Sequence, residues 1–394
     1  MVRSEWMRIY LDHNATTPVD STVVDTVSNV LRNCYGNASS VHTFGQSAKA
    51  LLDNARSTVA ALLGAQPAEI VFTGSGTESD NLAIRGTAGL HKPTGRRHLI
   101  TSTIEHEAVL NTIKDLTRHG WTATYLSVGA SGVINPADLK DAISEQTALV
   151  SIMHANNEIG TLQPINELAS IAHSYGALFH TDAVQTAGKH PIRVTELDVD
   201  LLSISGHKFN GPKGVGALWI KRGTRLTSSL TGGRQERNRR AGTENIAGIA
   251  GLGIAAQVAS NKLTSETSRL GQLRDRLESD ILCNVAGTEL NGTGQRISNT
   301  TNISFQGIEA EALLIALDLE GIAVSTGSAC SSGTLEPSHV LQAMGFTPQR
   351  AQSSIRFSLG LGNTEEQITR VVESLPPIVT KLRQLSGHHV ALRT

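Results

Sequence analysis

Residues 203–216 read SISGHKFNGPKGVG and place Lys208 in a glycine-rich turn between two strand-like segments. Upstream, residues 179–185 read FHTDAVQ and place Asp182 just past the end of another strand-like segment. In open α/β sheets, ligands bind outside the carboxyl ends of the strands. Each of the two residues alone is typical of a solvated loop. Together they predict a ligand site that contains an amine and a carboxylate.

Strand-like and helical segments alternate through much of the chain. Residues 46–63 carry apolar side chains at helical spacing and are followed by Gly64, which predicts an amphipathic helix that stops there. Short apolar segments with the character of strands occur at residues 69–73, 98–103, 122–128, 148–154, 177–181, 200–205 and 215–220. Such alternation predicts an α/β fold with a mostly parallel sheet that helices cover on both faces.

A second region begins near residue 262. It combines a polar helix, a strand, a further helix and a last strand, predicted at residues 264–283, 301–305, 309–319 and 354–358. We therefore predict a large domain over residues 14–261. Residues 1–13 and 262–394 are expected to form a smaller domain, because the extreme N-terminus is expected to pack with the second region.

Length and composition exclude several classes of protein. With 394 residues the chain can bury a large core, and its formal net charge of -1 gives no global reason to bind nucleic acid or an anionic membrane. No run of about 18 apolar residues occurs, and the N-terminus lacks the apolar stretch of a secretory signal. The sequence predicts a cytoplasmic protein without a membrane segment, and it contains no motif of a resident metal site.

A carbonyl cofactor that serves as an electron sink needs an amine, a carboxylate for its ring nitrogen, a phosphate cradle and a ring clamp. Lys208 and Asp182 supply the first two groups. The turn GSGT at residues 74–77 opens a predicted helix, whose free N–H groups suit a phosphate. His106 can stack on an aromatic ring or move protons, and a surface histidine is the equal alternative. The chain has neither a dinucleotide fingerprint nor a P-loop, which disfavours a nucleotide.

Three cysteines, at positions 34, 283 and 330, are too widely spaced for a disulfide framework or a zinc ribbon. Cys330 lies among small residues in TGSACSSG, residues 326–333, a segment expected to move. A thiol that first attacks a bound substrate and then delivers a group elsewhere needs such a segment. Cys283 follows leucines at helical spacing and is expected in the core, and Cys34 is expected to be structural.

Ten segments resemble the landmark segments of cysteine desulfurases of the NifS/IscS type, which belong to the class V aminotransferase-fold enzymes. The resemblance extends from about residue 9 to 385, and the segments occur in the family's order. They are LDHNATTP (11–18), GNASSVH (36–42), FTGSGTESDNLAI (72–84), EHEAV (105–109), HANNEIG (154–160), TDAVQ (181–185), SGHKFNGPKGVGAL (205–218), RRAGTEN (239–245), STGSACSSGTLEPSHVL (325–341) and SIRFSLG (354–360). The pair His13-Asn14 departs slightly from the family pattern.

The resemblance implies pyridoxal 5'-phosphate (PLP) as cofactor and fold type I, with a mostly parallel seven-stranded sheet in the large domain and a smaller α+β domain. It implies that Lys208 forms the Schiff base, Asp182 faces the pyridinium nitrogen, and His106 stacks on the ring as acid and base. Gln185 is implied to donate to the phenolic oxygen. The other implied cofactor contacts are Gly76, Thr77, Asn157, Ser205, His207 and, from a second subunit, Thr243. Asn157 and Arg356 match the residues that bind the substrate carboxylate, for which a planar guanidinium is well suited.

By resemblance, the reaction removes sulfur from L-cysteine. Lys208 takes the Cα proton, the Cys330 thiolate attacks the substrate sulfur, and the products are L-alanine and a persulfide on Cys330. A free thiol has a pKa of about 8.5, so His106 or the substrate amine must help to form the thiolate. The cysteine loop, about residues 324–336, resembles the long mobile loops from which sulfur passes directly to an acceptor. The resemblance further implies an obligate homodimer.

Several alternatives stay open at this point. A selenocysteine lyase or another β-lyase on the same fold is the nearest one, and a non-catalytic sulfur carrier is another. Iron–sulfur assembly, thio-modified tRNA and sulfur-modified DNA are all open as destinations, and in related enzymes the cysteine corresponding to Cys330 can transiently ligate a cluster with a scaffold protein. The arginine-rich residues 234–240 are interpreted as an active-site or dimer-interface loop, with direct nucleic-acid binding as the less favoured alternative.

Overall fold

The computed structural model describes residues 8–327 and 337–387. Its strands are β1 (Ile9–Tyr10), β2 (Ile70–Thr73), β3 (His98–Ser102), β4 (Thr122–Leu126), β5 (Thr147–Ser151), β6 (Leu178–Asp182), β7 (Leu201–Ser205), β8 (Gly216–Ile220), β9 (Thr288–Leu290), β10 (Thr300–Phe305), β11 (Ile322–Ala323) and β12 (Ser354–Ser358). Its helices are α1 (Ser21–Asn33), α2 (Thr43–Leu63), α3 (Gly76–His91), α4 (Glu107–Arg118), α5 (Pro136–Ala142), α6 (Ile165–Ser174), α7 (Val194–Leu197), α8 (Gln235–Asn238), α9 (Ile246–Asn284), α10 (Ala310–Leu319), α11 (His339–Ala343), α12 (Pro348–Gln352) and α13 (Glu365–Leu385).

Within the described residues, seven strands form the central sheet in the order β2-β8-β7-β6-β5-β3-β4. All neighbouring pairs are parallel except the two pairs that involve β8, which runs antiparallel to β2 and β7. The carboxyl ends of the other six strands therefore lie at one edge of the sheet. The prediction of an α/β fold with a mostly parallel sheet is confirmed.

Helices cover both faces of this sheet. One face packs against α2, α6 and α9, and the apolar side chains between them form the largest core of the described chain. The opposite face packs against α3 and α4 through a separate apolar cluster. Burial on both faces explains why every residue of β2, β5, β7 and β8 is buried, with no exposed face along these strands.

The second region has its own sheet and core. Strands β12, β10 and β9 form an antiparallel sheet, and β1 pairs in parallel with β11. Ile9 and Leu11 are fully buried in the apolar cluster of this region, next to side chains of α10, α13 and the end of α9. The division into domains at residue 261 stays a prediction.

The helix predicted at residues 264–283 begins much earlier, because α9 runs unbroken from Ile246 to Asn284. Its first half is rich in alanine and glycine and was not recognised as helical. The small residues allow a close helix–helix approach: a Cβ added at Gly253 would lie 2.7 Å from the Cα of Ala55 in α2. Tertiary packing here outweighs the low helix propensity of glycine.

None of the helices in the described ranges 8–327 and 337–387 is both long and apolar enough to cross a lipid bilayer.

Candidate active site

The turn before α3 and the end of β7 lie side by side at the carboxyl edge of the sheet. Thr73 at the end of β2 and Ser205 at the end of β7 both pair with Gly216 of β8, one on each side. Gly76, the first residue of α3, packs so closely that an added Cβ would lie 2.8 Å from Val184 Cγ2 and 3.3 Å from Ser205 Cβ. The helix N-terminus and the Ser205 side chain therefore border one shared space.

Lys208 lies in a short 3-10 turn that directly follows β7. Its Nζ atom donates hydrogen bonds to the carbonyl oxygens of Asn14 and Ala15, at 2.7 and 2.9 Å. The N-terminal segment is held to the same turn by Thr17, whose backbone N–H and side-chain hydroxyl both donate to the His207 carbonyl at 2.9 Å. The amine is thus placed by residues that are almost two hundred positions apart in the sequence.

Asp182 ends β6 and is buried. Its Oδ1 atom accepts a hydrogen bond from the backbone N–H of Val184 at 2.9 Å. Burial raises the pKa of the Asp182 carboxyl, while the nearby His106 and Lys208 oppose this by favouring the ionised form. The carboxyl, the imidazole and the amine predicted to act together therefore lie within electrostatic range of one another.

His106 caps the N-terminus of α4, and its Nδ1 atom accepts a hydrogen bond from the Ala108 N–H at 3.1 Å. Since Nδ1 is an acceptor, the proton of the neutral ring resides on Nε2. Burial lowers the pKa of His106, and Lys208 lowers it further, whereas Asp182 raises it. The imidazole is therefore neutral at physiological pH and has one defined tautomer.

Arg356 of β12 is buried, and its guanidinium is already engaged by protein groups. Nη2 forms an ion pair with Asp12 Oδ1 at 2.6 Å, and Nη1 donates to the Asn157 carbonyl at 3.1 Å. Nε is buried without a hydrogen-bond partner. Asp12 was not recognised from the sequence as a site residue, because nothing local signals that it meets an arginine more than three hundred residues later.

The remaining predicted residues divide by exposure. Ser205 and Gln185 are buried, and His207 is half-buried with Nδ1 3.1 Å from Thr16 Oγ1. Burial and the neighbouring lysines lower the pKa of His207 to about 4. Thr77 and Thr243 are exposed. The exposure of Thr243 agrees with its predicted contact to a second subunit and does not test it.

Cys330 lies outside the described residues, but the segments that flank it are described. Ser325 forms two backbone hydrogen bonds with Arg356, at 2.7 and 3.3 Å. Gly327 approaches Glu158 so closely that an added Cβ would lie 2.7 Å from Glu158 Oε2, and Ser338 Oγ donates to that same oxygen at 2.5 Å. Both flanks of the cysteine segment thus meet one buried carboxyl, which the sequence analysis did not single out.

The prediction that Cys283 is a core residue is wrong, because its side chain is exposed near the end of α9. Leu273 and Leu277 are buried as the spacing predicts, but Cys283 lies outside this buried stripe, as does Leu282, which is also exposed. Cys34 follows the last residue of α1 and packs against two apolar clusters, which agrees with a structural role.

Two further buried carboxyls, Asp80 and Glu105, lie near Asp182. Burial raises the pKa of Asp80 well above its usual range, and the negative charge of Asp182 adds to the effect. Burial raises the pKa of Glu105 to about 8, opposed by hydrogen bonds from Ser102 and from the Met153 N–H. At neutral pH the Glu105 carboxyl is mainly protonated, and the upward shift at Asp80 likewise favours its neutral form.

The raised pKa of Glu105 predicts a measurable pH dependence of stability. The folded protein binds a proton more tightly than the unfolded chain, so this stabilisation is complete below about pH 4.5 and is lost as pH rises toward 8. Glu105→Gln keeps a neutral side chain at every pH. We expect its free energy of unfolding, measured in urea, to decline less than that of the wild type between pH 5 and 8. Replacement of the adjacent exposed Glu107 by Gln is the control, and equal slopes for all three proteins would contradict the assignment.

Comparison with known proteins identifies the family. The aminotransferase class-V model matches residues 9–371. A protein from Nostoc sp. named cysteine desulfurase is 51% identical over 379 residues, which cover 96% of this chain and 94% of that protein. A solved NifS-like protein matches with a TM-score of 0.89 and 38% identity, covering 95% of this chain and 100% of the other.

A second solved structure, SspA in complex with cysteine, matches with a TM-score of 0.80 and 36% identity over 89% of this chain and 98% of the other. The family model thus spans most of the chain that carries Lys208, Asp182 and His106 at one sheet edge. The protein belongs to the class-V aminotransferase family.

Proposed function

We infer that the protein is a cysteine desulfurase that uses PLP and forms a persulfide on Cys330. The observation that carries this inference is the meeting of Lys208, Asp182 and His106 at the carboxyl edge of the sheet, within electrostatic range of one another. The relatives named cysteine desulfurase match nearly the whole chain. Their names favour this reaction over the alternative of a selenocysteine lyase.

The donor set fits PLP. It comprises an amine, a buried carboxylate, a neutral imidazole and, at the start of α3, a helix N-terminus beside the hydroxyl of Ser205. Lys208 would hold the cofactor covalently, Asp182 would pair with its ring nitrogen, and His106 would cover its ring. The phosphate would be held by Gly76, Thr77, Ser205 and His207, and Gln185 and Asn157 would make the remaining contacts. When bound, PLP supplies an electron sink for the negative charge that develops at the substrate Cα.

Proton transfer and charge stabilisation are carried out by groups of the protein. The Lys208 amine removes the Cα proton of cysteine, and Asp182 keeps the opposite end of the site negatively charged. His106 is neutral with its proton on Nε2, so it can donate that proton or accept one after donation. Burial lowers the pKa of His106, so the imidazole does not stay positively charged beside Lys208.

The substrate carboxylate binds at Arg356 together with Asn157. The guanidinium is held in place by Asp12 and by the Asn157 carbonyl, so its position is defined before substrate arrives. When a second carboxylate binds, the buried guanidinium donates charge-assisted hydrogen bonds to it, in a site where water competes little. The same strand, β12, carries Arg356 and pairs with Ser325, which precedes the cysteine segment. The arginine that would bind the substrate carboxylate and the segment that carries the thiol are therefore both attached to β12.

Sulfur transfer is balanced without an external oxidant. The Cys330 thiolate attacks the sulfur of the bound cysteine, an S–S bond forms, and the substrate Cβ–S bond breaks. Its electron pair stays with the amino acid, which becomes L-alanine after protonation. The persulfide sulfur then passes to an acceptor thiol or to an iron–sulfur scaffold protein.

Cys330→Ala tests the reaction. Without the acceptor thiol, we expect release of sulfide and alanine from L-cysteine to fall below about 1% of the wild-type rate, because no group remains to take the sulfur. The visible absorption of the bound cofactor should be unchanged. Cys283→Ala, which removes an exposed thiol, is the matched control and should retain full activity. Full turnover by Cys330→Ala would point instead to a β-lyase.

Arg356→Lys tests the carboxylate site. Lysine keeps the positive charge but loses the planar fork, at a cost of about 1.5–3 kcal/mol for charge-assisted contacts. We therefore expect KM for L-cysteine to rise roughly 10- to 100-fold, with the cofactor spectrum unchanged. Arg350→Lys, on the neighbouring helix α12, should leave KM near the wild-type value. An unchanged KM in Arg356→Lys would remove Arg356 from substrate binding.

A homodimer completes the proposed site, because Thr243 is exposed here and its implied partner is the cofactor of a second subunit. Large apolar side chains are exposed in α1, in the loop that follows it and at the start of α2: Leu31, Tyr35, Val41 and Phe44. Val30 of α1 packs on Ala247 and Ala250, just after Thr243, so the exposed apolar surface continues toward it. The segment that precedes Thr243 is held by a buried ion pair at 2.7 Å between Arg56 and Glu236, whose backbone is left-handed. A second copy of the chain is the occupant that explains the exposed apolar surface and the exposed position of Thr243.

Sedimentation equilibrium tests this interface. The wild type should have the mass of two chains, and Tyr35→Asp should dissociate at least tenfold more readily, because it places a charge among desolvated apolar groups. Leu319→Asp is the matched control, since Leu319 is equally exposed on a different part of the molecule; both are 77% exposed. A monomeric wild type would contradict the proposal.

A further inference from the structure

Lys189 is a second buried lysine close to Lys208, and the proposed reaction does not use it. It lies in the turn after β6, and it lines the same small cavity as Lys208. Burial, with repulsion by Lys208 and Arg356, lowers the pKa of Lys189 well below its usual range. Among the described residues, no carboxylate forms an ion pair with it, although Glu266 lines the same cavity. A lysine in so costly a place needs a compensating role.

Its hydrogen bonds show what that role is. Nζ donates to Gln185 Oε1 at 3.0 Å and to Asn14 Oδ1 at 3.3 Å. Two side-chain amides therefore turn their oxygens toward Lys189, which leaves their NH2 groups to point elsewhere. The Gln185 NH2 donates to the Asn14 carbonyl at 3.0 Å, and Lys208 Nζ donates to that same oxygen at 2.7 Å. The Gln185 amide NH2 and the Lys208 amine thus meet on a single oxygen atom.

We propose that Lys189 is a positioning residue that fixes the Gln185 amide with its NH2 group directed toward Lys208. The proposal rests on the proposed function, in which Lys208 carries the cofactor and Gln185 donates to its phenolic oxygen. An amide without such a constraint can rotate by half a turn and present oxygen instead of NH2. Lys189 removes that ambiguity, because an amino group donates to the oxygen and not to the NH2.

The neighbours of Lys189 favour this role over that of an acid or base. His13 lies in the same cavity, and burial together with Lys189 lowers its pKa to about 4, so it carries no charge at neutral pH. Glu266 is bound bidentately by Arg269 within the same helix. The charged neighbours that lower the pKa of Lys189 are Lys208 and Arg356, which are both cationic groups. What remains is a donor held between two amides.

The proposal predicts a spectroscopic change. Loss of the Gln185 donor makes the phenolic oxygen of the lysine-bound cofactor more basic, and loss of a nearby amine removes a group that disfavours positive charge there. Both effects raise the pKa at which the lysine-bound cofactor loses its proton. We expect Lys189→Met to raise that pKa by roughly one unit, as measured by pH titration of the visible absorption band in the holoenzyme without substrate.

Three further proteins make the test specific. Lys213→Met removes an exposed lysine from the same glycine-rich turn and should leave the titration unchanged; an equal shift would show a general charge effect and overturn the proposal. Gln185→Leu should also raise the pKa of the lysine-bound cofactor. In a protein that already carries Gln185→Leu, Lys189→Met should shift this pKa less than it does in the wild type, because the two changes break the same contact. Additive shifts would show that Lys189 does not act through Gln185. If Lys189→Met does not fold, Lys189→Gln takes its place and should give a smaller shift in the same direction.

The two proposals fail in different ways. A wild-type protein that cannot be loaded with PLP would end the proposed function and this inference with it. A wild type that binds PLP and forms alanine, with an unshifted titration in Lys189→Met, would overturn only the role of Lys189.

Discussion

The hydrogen bonds from Lys208 to the carbonyls of Asn14 and Ala15 are the contacts on which the arrangement of the site depends. They bind the N-terminal segment across the carboxyl edge of the large sheet. Immediately before this segment, β1 pairs with β11 and Leu11 is buried in the core of the second region. A stretch of fewer than ten residues thus joins both cores and passes next to the Lys208 amine. The second region is placed relative to Lys208 by this segment as well as by α9.

The carboxyl edge of the large sheet also brings three buried carboxyls close to one another. Three carboxyls, Asp80, Glu105 and Asp182, lie in a buried region where mutual repulsion and desolvation disfavour more than one negative charge. Of the three, Asp182 is the carboxyl whose ionised form His106 and Lys208 favour. These two neighbours therefore favour ionisation of Asp182 over ionisation of Asp80 or Glu105. A site that must keep one ring nitrogen protonated benefits from such a preference, since neutral neighbours do not compete for the proton.

Much of the fold was predictable from the sequence, because buried parallel strands leave short continuous apolar segments and amphipathic helices leave periodic apolar patterns. The strands at residues 98–103 and 200–205 are examples, and each agrees with the structure to within one residue at either end. The first half of α9 was missed because glycine and alanine give weak helical signals. Asp12, Lys189 and Glu158 were missed for a different reason: each acquires its meaning from a partner far away in the chain. The proximity of Lys208, Asp182 and His106 was predictable because each lies at or just after the end of a strand, and parallel strands bring their ends together.

The fold and the cofactor are common to transaminases, lyases and desulfurases, so the reaction depends on what approaches the substrate from the other side. Glu158 is informative here because it touches both flanks of the cysteine segment, through Gly327 and Ser338, while its neighbour Asn157 contacts Arg356. Two adjacent residues thus link the group that would bind the substrate carboxylate with the ends of the segment that carries the thiol. In the proposed reaction this placement would hold one end of a cysteine substrate close to the described ends of the segment that carries the thiol. Proximity of this kind converts a collision between two molecules into a reaction within one complex. It is the feature by which this chain would turn a general cofactor site into one for sulfur transfer.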